Sequence, residues 1–341
     1  MRRNLLSVLE RYHLIMMSAV LLFIIFVSIC VGRFQISPVE VLKIIASKFF
    51  SLETGATVMM EQVVWEVRLP RIIAGMIVGG GLAISGASFQ GLFRNPLVSP
   101  DILGVSAGAG FGAALALLLN FTGITVAVFA FGCGLIAVSL VYGITRLHKS
   151  TPTLIFVLSG IIVSAFFTSL ISLTKYIADP YDKLPAIVFW LMGSISAVTY
   201  KMIWITMPLI VIASAVLLLL RWRLNVLSLG DREARSLGIN IRKLRLIVVV
   251  CTTIITAAAV CLGGTIGWIG LVTPHLGRIM VGPNHSRLLP VSFLLGASFL
   301  LIIDNIARTL TATEIPLGIL TGIVGAPFFT YLILRHKVKW L

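Results

Sequence analysis

The sequence has few charged side chains. Only 11% of its 341 residues are charged, and only 12 are Asp or Glu. A soluble domain carries roughly a quarter charged residues, whereas here 58% are apolar and the mean hydropathy is +1.07. Runs of about 20 apolar residues recur along the chain, each long enough to cross a bilayer as a helix. Composition therefore excludes a soluble globular protein and predicts one all-α, polytopic membrane domain over residues 1–341.

Several motifs of known chemistry are also missing. No Gly-x-x-x-x-Gly-Lys-[Ser/Thr] occurs, which excludes ATP binding by a P-loop. The acids Asp101, Asp304 and Glu314 fall near predicted span ends, whereas an ion-coupled secondary transporter usually needs a buried carboxylate relay. Of the scattered histidines, His275 is the most notable, and we interpret it as structural. We predict no metal site and no cofactor on this chain.

Two further absences concern processing and redox chemistry. Arg2, Arg3 and Arg11 before an apolar run resemble a signal peptide, but no Ala-x-Ala cleavage pattern follows, so we predict an uncleaved first span. The cysteines lie in apolar runs without metal-ligand spacing, and we interpret them as small core residues. They are Cys30, Cys133, Cys251 and Cys261.

What the sequence does contain is an internal duplication. Arg68 and Arg71 recur as Arg242 and Arg245, and Leu97-Val-Ser-Pro100 recurs at the same offset as Leu271-Val-Thr-Pro274. We predict repeat A at about 66–176 and repeat B at about 240–335, inverted relative to each other because an odd number of spans separates them. Inverted repeats are typical of transporters. About ten spans are predicted, and spans 2–5 and 7–10 form the two repeats. In chain order the ten spans lie at about 14–33, 70–92, 101–119, 122–145, 154–175, 200–220, 246–266, 275–284, 288–310 and 316–334.

The net charge of +15 is distributed as expected for a membrane topology rather than for nucleic-acid binding. Ten spans place both termini on one side, and the basic residues concentrate there, above all in residues 221–245. The positive-inside rule assigns that side to the cytoplasm. Residues 34–66 then form an outer polar loop, and residues 179–197 contain an outer surface helix capped by Asp182.

Two charged segments are candidate sites. Arg68 and Arg71 lie one turn apart at the outer mouth of span two, and we expect them to form, with Arg308, a positive patch for carboxylates of an external partner. The alternatives are lipid-headgroup anchoring and an internal Asp304–Arg308 pair. On the inner side, residues 221–245 contain a short helix that Asp231 caps and Gly238 ends, with Leu229, Ala234 and Leu237 on one face. This helix is either a docking element for a cytoplasmic partner or part of a solvated basic loop.

Many ordered motifs resemble the FecCD-type permeases of iron-chelate and cobalamin ABC importers, and the resemblance covers nearly all of residues 14–335. They are Arg68-Leu-Pro-Arg71, Gly81-Leu-Ala-Ile-Ser-Gly86, Phe93-Arg-Asn-Pro-Leu97, Leu103-Gly-Val-Ser-Ala-Gly108, Leu229-Gly-Asp231, Ala234-Arg-Ser-Leu-Gly238, Ile266-Gly-Trp-Ile-Gly-Leu271, Thr273-Pro-His275, Leu289-Pro290, Asp304-Asn-Ile-Ala-Arg308 and Glu314-Ile-Pro-Leu-Gly318.

The resemblance implies a permease subunit in the bacterial or archaeal cytoplasmic membrane that carries substrate by alternating access. It implies a homodimer, two cytoplasmic ATP-binding subunits that hydrolyse the ATP, and a periplasmic or lipid-anchored solute-binding protein. Residue by residue, Arg68, Arg71 and Arg308 correspond to the arginines that receive the binding protein's carboxylates. The residues implied in ATPase coupling are Gly230, Asp231, Glu233, Ala234, Leu237 and Gly238, and those at a cytoplasmic gate are Ser150, Thr151 and Thr153.

The substrate implied is a metal chelate, and an iron–siderophore complex or haem is expected because such substrates are frequent in the family. Cobalamin and an oxyanion such as molybdate remain alternatives. An ion-coupled secondary transporter is the rival from a different functional class. The partners predicted are proteins and membrane lipid, and nucleic acid is not among them.

Overall fold

The computed structural model describes residues 2–48, 50, 55–147 and 153–335, and within them the chain forms helices and no strand. Seven helical stretches are long and apolar enough to cross a membrane. In chain order the helices are α1 (Arg2–Cys30), α2 (Pro38–Ser47), α3 (Val58–Gln62), α4 (Leu69–Phe93), α5 (Val105–Leu118), α6 (Ile124–Leu147), α7 (Thr153–Ile177), α8 (Lys183–Met192), α9 (Tyr200–Leu219), α10 (Arg221–Leu229), α11 (Asp231–Ser236), α12 (Ile241–Gly263), α13 (Ile269–Val281), α14 (His285–Thr309) and α15 (Leu317–Arg335).

The predicted spans agree with these helices. The long stretches coincide with predicted spans one, two, four to seven and nine, and the shorter apolar helices α5, α13 and α15 occupy the positions of spans three, eight and ten. The fourth short helix, α8, occupies the position of the predicted surface helix, although the Asp182 side chain makes no capping bond to it. The all-α, polytopic fold is thus confirmed, while the crossing of the shorter helices stays a prediction.

The helix of span two begins much earlier than predicted. Residues 34–66, interpreted as a polar loop, contain α2 and α3, and α3 continues through a π-helical turn at Val63–Arg68 directly into α4. A proline inside an α-helix clashes with the carbonyl four residues before it. The π-turn ends at Arg68, two residues before Pro70, and it contains Glu66, the residue four before that proline. Arg68 and Arg71 therefore lie within a continuous helix rather than at its start.

Helix α4 is the centre of the bundle, and nearly all of its residues are buried. Two glycine contacts bring other helices against it. A Cβ on Gly79 would overlap the carbonyl of Gly296 on α14, and a Cβ on Gly86 would overlap the backbone of Gly270 on α13. Small residues in membrane helices permit this kind of close approach. The density of small residues in span two therefore reflects backbone-to-backbone packing.

Two structural observations fit the predicted duplication. Helix α4 of repeat A packs against α13 and α14 of repeat B, and α12 of repeat B packs against α5 and α6 of repeat A. In addition, Arg94 and Trp268, which are separated by the same offset as the repeated motifs, both adopt a left-handed backbone, with φ of 51° and 70°. Few non-glycine residues have positive φ. The opposite orientation of the two copies stays a prediction.

Candidate functional site

The three arginines of the expected outer patch do converge at one end of the bundle. We call Arg68, Arg71 and Arg308 the arginine cluster. Arg68 ends the π-turn, Arg71 lies one turn later on α4, and Arg308 lies near the end of α14. The close packing of α4 on α14 brings the last two together. Each of the three residues is no more than 5% exposed, so the cluster lies inside the protein.

Arg71 is held by two carboxylates. Its Nε and Nη2 both lie 2.8 Å from Oδ1 of Asp304, and its Nη1 lies 2.9 Å from Oε1 of Glu314. Asp304 is on α14, and Glu314 lies in the segment between α14 and α15. The Asp304 side chain is buried, whereas that of Glu314 is 31% exposed. Arg71 therefore ties α4 to α14 by a buried, charge-assisted contact.

Arg68 and Arg308 both donate hydrogen bonds to backbone carbonyls in the last turn of α1. The Arg68 guanidinium donates to the carbonyls of Ile29 and Phe34 and, at 3.0 Å, to that of Cys30. The Ile29 and Cys30 oxygens lie at the end of α1, where carbonyls lack helical partners and a nearby cation is favourable, and Phe34 lies just beyond it. Arg308 donates at 2.6 Å to the carbonyl of Ser28.

Arg308 also contributes to the charge network. It donates to Asn305 Oδ1, and its Nε lies 3.7 Å from Oδ2 of Asp304. The internal Asp304–Arg308 pair, given above as an alternative, is thus confirmed. The shorter Arg71–Asp304 contact was missed, because these residues lie far apart in the sequence. The expectation of an open positive patch is wrong for this structure, since internal carboxylates and carbonyls occupy the guanidinium groups.

The second candidate segment, residues 221–245, is called the inner segment. It begins with α10, which is followed by Gly230 and the short helix α11. Gly230 has φ of 148° and forms the N-cap of α11, and Gly238 has φ of 77° and follows the helix end. The N–H groups of Gly238 and Ile239 donate to the carbonyls of Arg235 and Ala234, at 2.9 and 3.0 Å. These bonds form a glycine C-terminal cap, so the prediction that Gly238 ends this helix is confirmed.

Asp231 is not the cap that was predicted. It is the first residue of α11, and its carboxylate lies 2.8 Å from Nη2 of Arg94 and 2.9 Å from Nη2 of Arg245. Both oxygens of the carboxylate are thus used in charge-assisted bonds to arginines. Asp231 thereby joins α11 to the end of α4 and to α12. The contact of Asp231 with Arg94 was not predicted. The signal available in the sequence was that Arg94 is a charged residue in a short turn between two apolar helices.

The predicted face of α11 is also wrong. Ala234 is completely buried, whereas Leu229 is 71% and Leu237 is 57% exposed. Burial of Ala234 fixes the underside of the helix and turns Arg232, Glu233, Arg235 and Leu237 outward. The outward surface therefore combines charged groups of both signs with an exposed leucine. Such a surface is suited to contact with another protein.

The other positions singled out in the sequence are the gate residues and His275. Ser150 and Thr151 lie outside the described residues, and Thr153 is the first residue of α7. The described residues contain no group of three or more His, Cys, Asp or Glu side chains that would hold a metal ion. His275 is buried and packs edge-on against Phe329, with ring centroids 5.8 Å apart.

A cavity of about 280 Å³ lies among α8, α9 and the end of α12. Its polar groups include the hydroxyls of Ser194 and Ser196, which are 2.9 Å apart, and it has no charged lining residue. The lining residues are Ala186, Phe189, Trp190, Ser194, Ser196, Ala197, Met202, Cys261, Leu262 and Gly264.

Comparison with known proteins assigns the family. A profile of the FecCD transport family matches residues 20–335, which is most of the chain. The chain belongs to the FecCD transport family. This FecCD protein is 40% identical over 333 residues to the molybdate import system permease protein MolB of Haemophilus influenzae, covering 96% of this chain and 97% of that protein.

Other relatives carry different substrates in their names. A probable iron chelatin transport system permease protein of Helicobacter pylori is 43% identical over 275 residues, covering 81% of this chain and 83% of that protein. A solved inward-facing structure of a metal-chelate type ABC transporter matches with a TM-score of 0.85 and 38% identity, covering 95% of this FecCD chain and 99% of that one. Relatives of this chain are thus permease subunits of ABC importers.

The buried carboxylate of Asp304 should contribute strongly to stability. Asp304→Asn removes the charge that two buried arginines share, and breaking a buried pair in this way costs about 3 kcal/mol or more. We expect the free energy of unfolding in mixed micelles to fall by that amount. Glu314→Gln is the matched control, because its carboxylate is partly solvated, and it should cost about 1 kcal/mol or less. An equal loss in the two variants would contradict this account.

Free metal ions should bind poorly to the purified chain. Transition metals need clustered imidazole, thiolate or carboxylate ligands, and no such cluster occurs in the described residues. Titration calorimetry with Fe²⁺, Mn²⁺ or Zn²⁺ should show no micromolar binding. Micromolar binding that disappears in His275→Ala or His285→Ala would show that a metal site had been overlooked.

Proposed function

We propose that this chain is the membrane-spanning permease subunit of an ATP-driven importer, and that its substrate is a metal chelate, either an iron–siderophore complex or haem. Its membership of the FecCD family supports the permease role. The single structural observation that carries the proposal is α11, a helix anchored through Asp231 to α4 and α12, with an outward surface of mixed charge and one exposed leucine.

The energy for transport would come from separate subunits. Two cytoplasmic ATP-binding subunits would contact Gly230–Gly238, and their closure on ATP would move α11 and the helices attached to it. A second copy of the chain would complete the pathway. The exposed apolar side chains of α7, including Leu158, Ile162 and Phe166, offer a surface for that copy or for lipid. Both termini would then lie in the cytoplasm.

A periplasmic or lipid-anchored solute-binding protein would dock at the opposite end. Within the arginine cluster, Arg71 is the group that pairs with a partly exposed carboxylate, that of Glu314. We propose that a carboxylate of the binding protein replaces Glu314 on Arg71. Arg68 and Arg308 would support the docking surface by holding the end of α1, rather than by pairing with the partner directly.

An oxyanion is a second candidate substrate. The relative MolB, aligned over nearly the whole chain, is named for molybdate, whereas the iron chelatin permease matches over a smaller share. Proteoliposomes that contain the permease, its ATP-binding subunits and its binding protein would decide between them. Uptake of an iron chelate or haem supports the first substrate, uptake of molybdate supports the second, and ATP-independent uptake driven by an ion gradient would overturn the importer class itself.

Changing the outward surface of α11 should uncouple transport. Glu233→Arg combined with Leu237→Asp reverses one exposed charge and places an acid where the exposed leucine lies, without touching buried Ala234. We expect a folded protein in which ATP-driven uptake is lost. Uptake and ATP hydrolysis in proteoliposomes measure this. The control is Glu233→Asp with Leu237→Met, which keeps charge and character at both positions. Normal uptake in the first variant would rule out contact at this surface.

Removing the carboxylate of Glu314 should strengthen docking. Glu314→Gln leaves Nη1 of Arg71 without its ionic partner, so a partner carboxylate no longer has to compete for it. We expect tighter binding of the solute-binding protein and a steeper fall of affinity with salt, because screening weakens ion pairs. Surface plasmon resonance would measure both. Glu66→Gln removes an equal charge without a bond to Arg71, and a similar effect there would refute the exchange.

A further inference from the structure

We propose that Asn225 on α10 fastens α10 and α11 to α14, so that these three helices move as one unit. The proposal rests on the function above, because it assigns the route by which movement of α11 crosses the membrane. It makes Asn225 a positioning residue. We call its contacts with the start of α14 the Asn225 clasp, which comprises Asn225, Asn284, His285 and Ser286.

Both the oxygen and the nitrogen of the Asn225 side-chain amide make hydrogen bonds to residues at the start of α14. Its Oδ1 accepts a 2.7 Å hydrogen bond from the backbone N–H of His285 and lies 3.0 Å from Nδ1 of the same ring. Its Nδ2 donates at 2.8 Å to Oδ1 of Asn284 and lies 3.4 Å from Oγ of Ser286. One side chain therefore contacts three consecutive residues of another helix start. A hydrophobic or hydroxyl side chain at this position could not make the same set of contacts.

These bonds are directed at the first turn of α14. The first N–H groups of a helix have no partner within the helix. Asn284 is the N-cap and accepts from the N–H of Ser286 at 2.9 Å, while Asn225 accepts from that of His285. Asn225 thus completes the cap of α14 from a different helix. Separation of α10 from α14 would leave the His285 N–H without its bond.

The imidazole of His285 is held from a second side. A Cβ on Gly91 would overlap Nε2 of His285, so the ring lies directly against the backbone of α4 near its end. The His285 residue is only 4% exposed. With Asn225 on one edge and Gly91 on the other, the ring lies enclosed between α10 and α4. Packing and hydrogen bonding therefore act at the same place.

The other attachment of the inner segment is ionic. The side chains in the ion pairs of Asp231 with Arg94 and Arg245 are 26–34% exposed, and solvent weakens ion pairs at such positions. They join α11 to α4 and α12. The Asn225 clasp joins the same segment to α14, whose opposite end carries Asp304 and Arg308. A helix of 25 residues extends about 38 Å, so α14 reaches from the clasp to the arginine cluster.

The test is the number of substrate molecules carried per ATP hydrolysed, measured in proteoliposomes with the binding protein and the ATP-binding subunits. We expect Asn225→Ala to keep ATP hydrolysis and to lower this ratio about fivefold or more, in the usual range of coupling between sites. The control is Asn95→Ala, which removes an amide at the same end of the bundle whose bond is local, to the N–H of Leu97 at 2.9 Å. It should leave the ratio unchanged.

A milder variant guards against misfolding. Asn225→Asp keeps an acceptor for the His285 N–H and loses the donor to Asn284, so its ratio should fall between those of the wild type and Asn225→Ala. If Asn225→Ala does not fold, the Asp variant decides. A wild-type ratio in every folded variant would overturn the clasp. Failure of the wild-type complex to show ATP-driven uptake would instead overturn the proposed function.

A second measurement is independent of transport. Spin labels at Leu237 after α11 and Leu310 after α14, both exposed, would be introduced into a chain whose native cysteines are replaced by alanine. In nanodiscs, double electron–electron resonance should give a narrow distance distribution for the otherwise unchanged chain and a broader one for Asn225→Ala. Asn95→Ala should not broaden it. Equal widths in all three proteins would refute the movement of α10, α11 and α14 as one unit.

Discussion

The contact between Arg71 and Asp304 fixes the packing on which the bundle depends. It joins α4, the central helix, to α14, and it lies at the end of a helix pair whose backbones touch at Gly79 and Gly296. A charge within an apolar bundle is costly unless it is paired. Neither helix can slide or rotate past the other without separating these charges. The register of α4 on α14 is therefore specified by electrostatics as well as by shape.

The two ends of α14 are held in different ways. At one end the contacts are ionic and buried, with Asp304 between Arg71 and Arg308. At the other end they are neutral hydrogen bonds from Asn225. An ionic contact can be exchanged for another ion, whereas a cap formed by an amide depends on the position of one helix relative to another. In the proposed importer, the first end is suited to exchange of partners and the second to transmission of movement.

The sequence predicted the helices better than it predicted their contacts. Long apolar runs mark spans because the bilayer requires them, and Gly238 marks a helix end because its local backbone requires positive φ. By contrast, Asp231 was expected to cap α11 but pairs with Arg94 and Arg245, and Arg71 was expected to be open but pairs with Asp304. Local chemistry permitted both alternatives in each case. Only the packing of α4 against α12 and α14 decides which charges meet.

The same limit explains what was missed around residues 34–66. The capping box of Ser37 and Glu40 that starts α2 is a local signal and was available in the sequence. The π-helical turn at Val63–Arg68 has no such signature, apart from the proline that follows it. An Arg-x-x-Arg motif with an internal proline was therefore interpreted as a helix start, although it lies in the middle of a longer helix.

That π-turn also has a consequence for the evolution of the chain. A π-turn holds one more residue than the α-helical turn it replaces. Deletion of one residue between Val63 and Arg68 would restore a regular helix with nearly the same rotation. Helix α3 would then keep its face relative to α4, and Arg71 would keep its contact with Asp304. The turn thus allows insertion or deletion of a residue without altering the bundle beneath it.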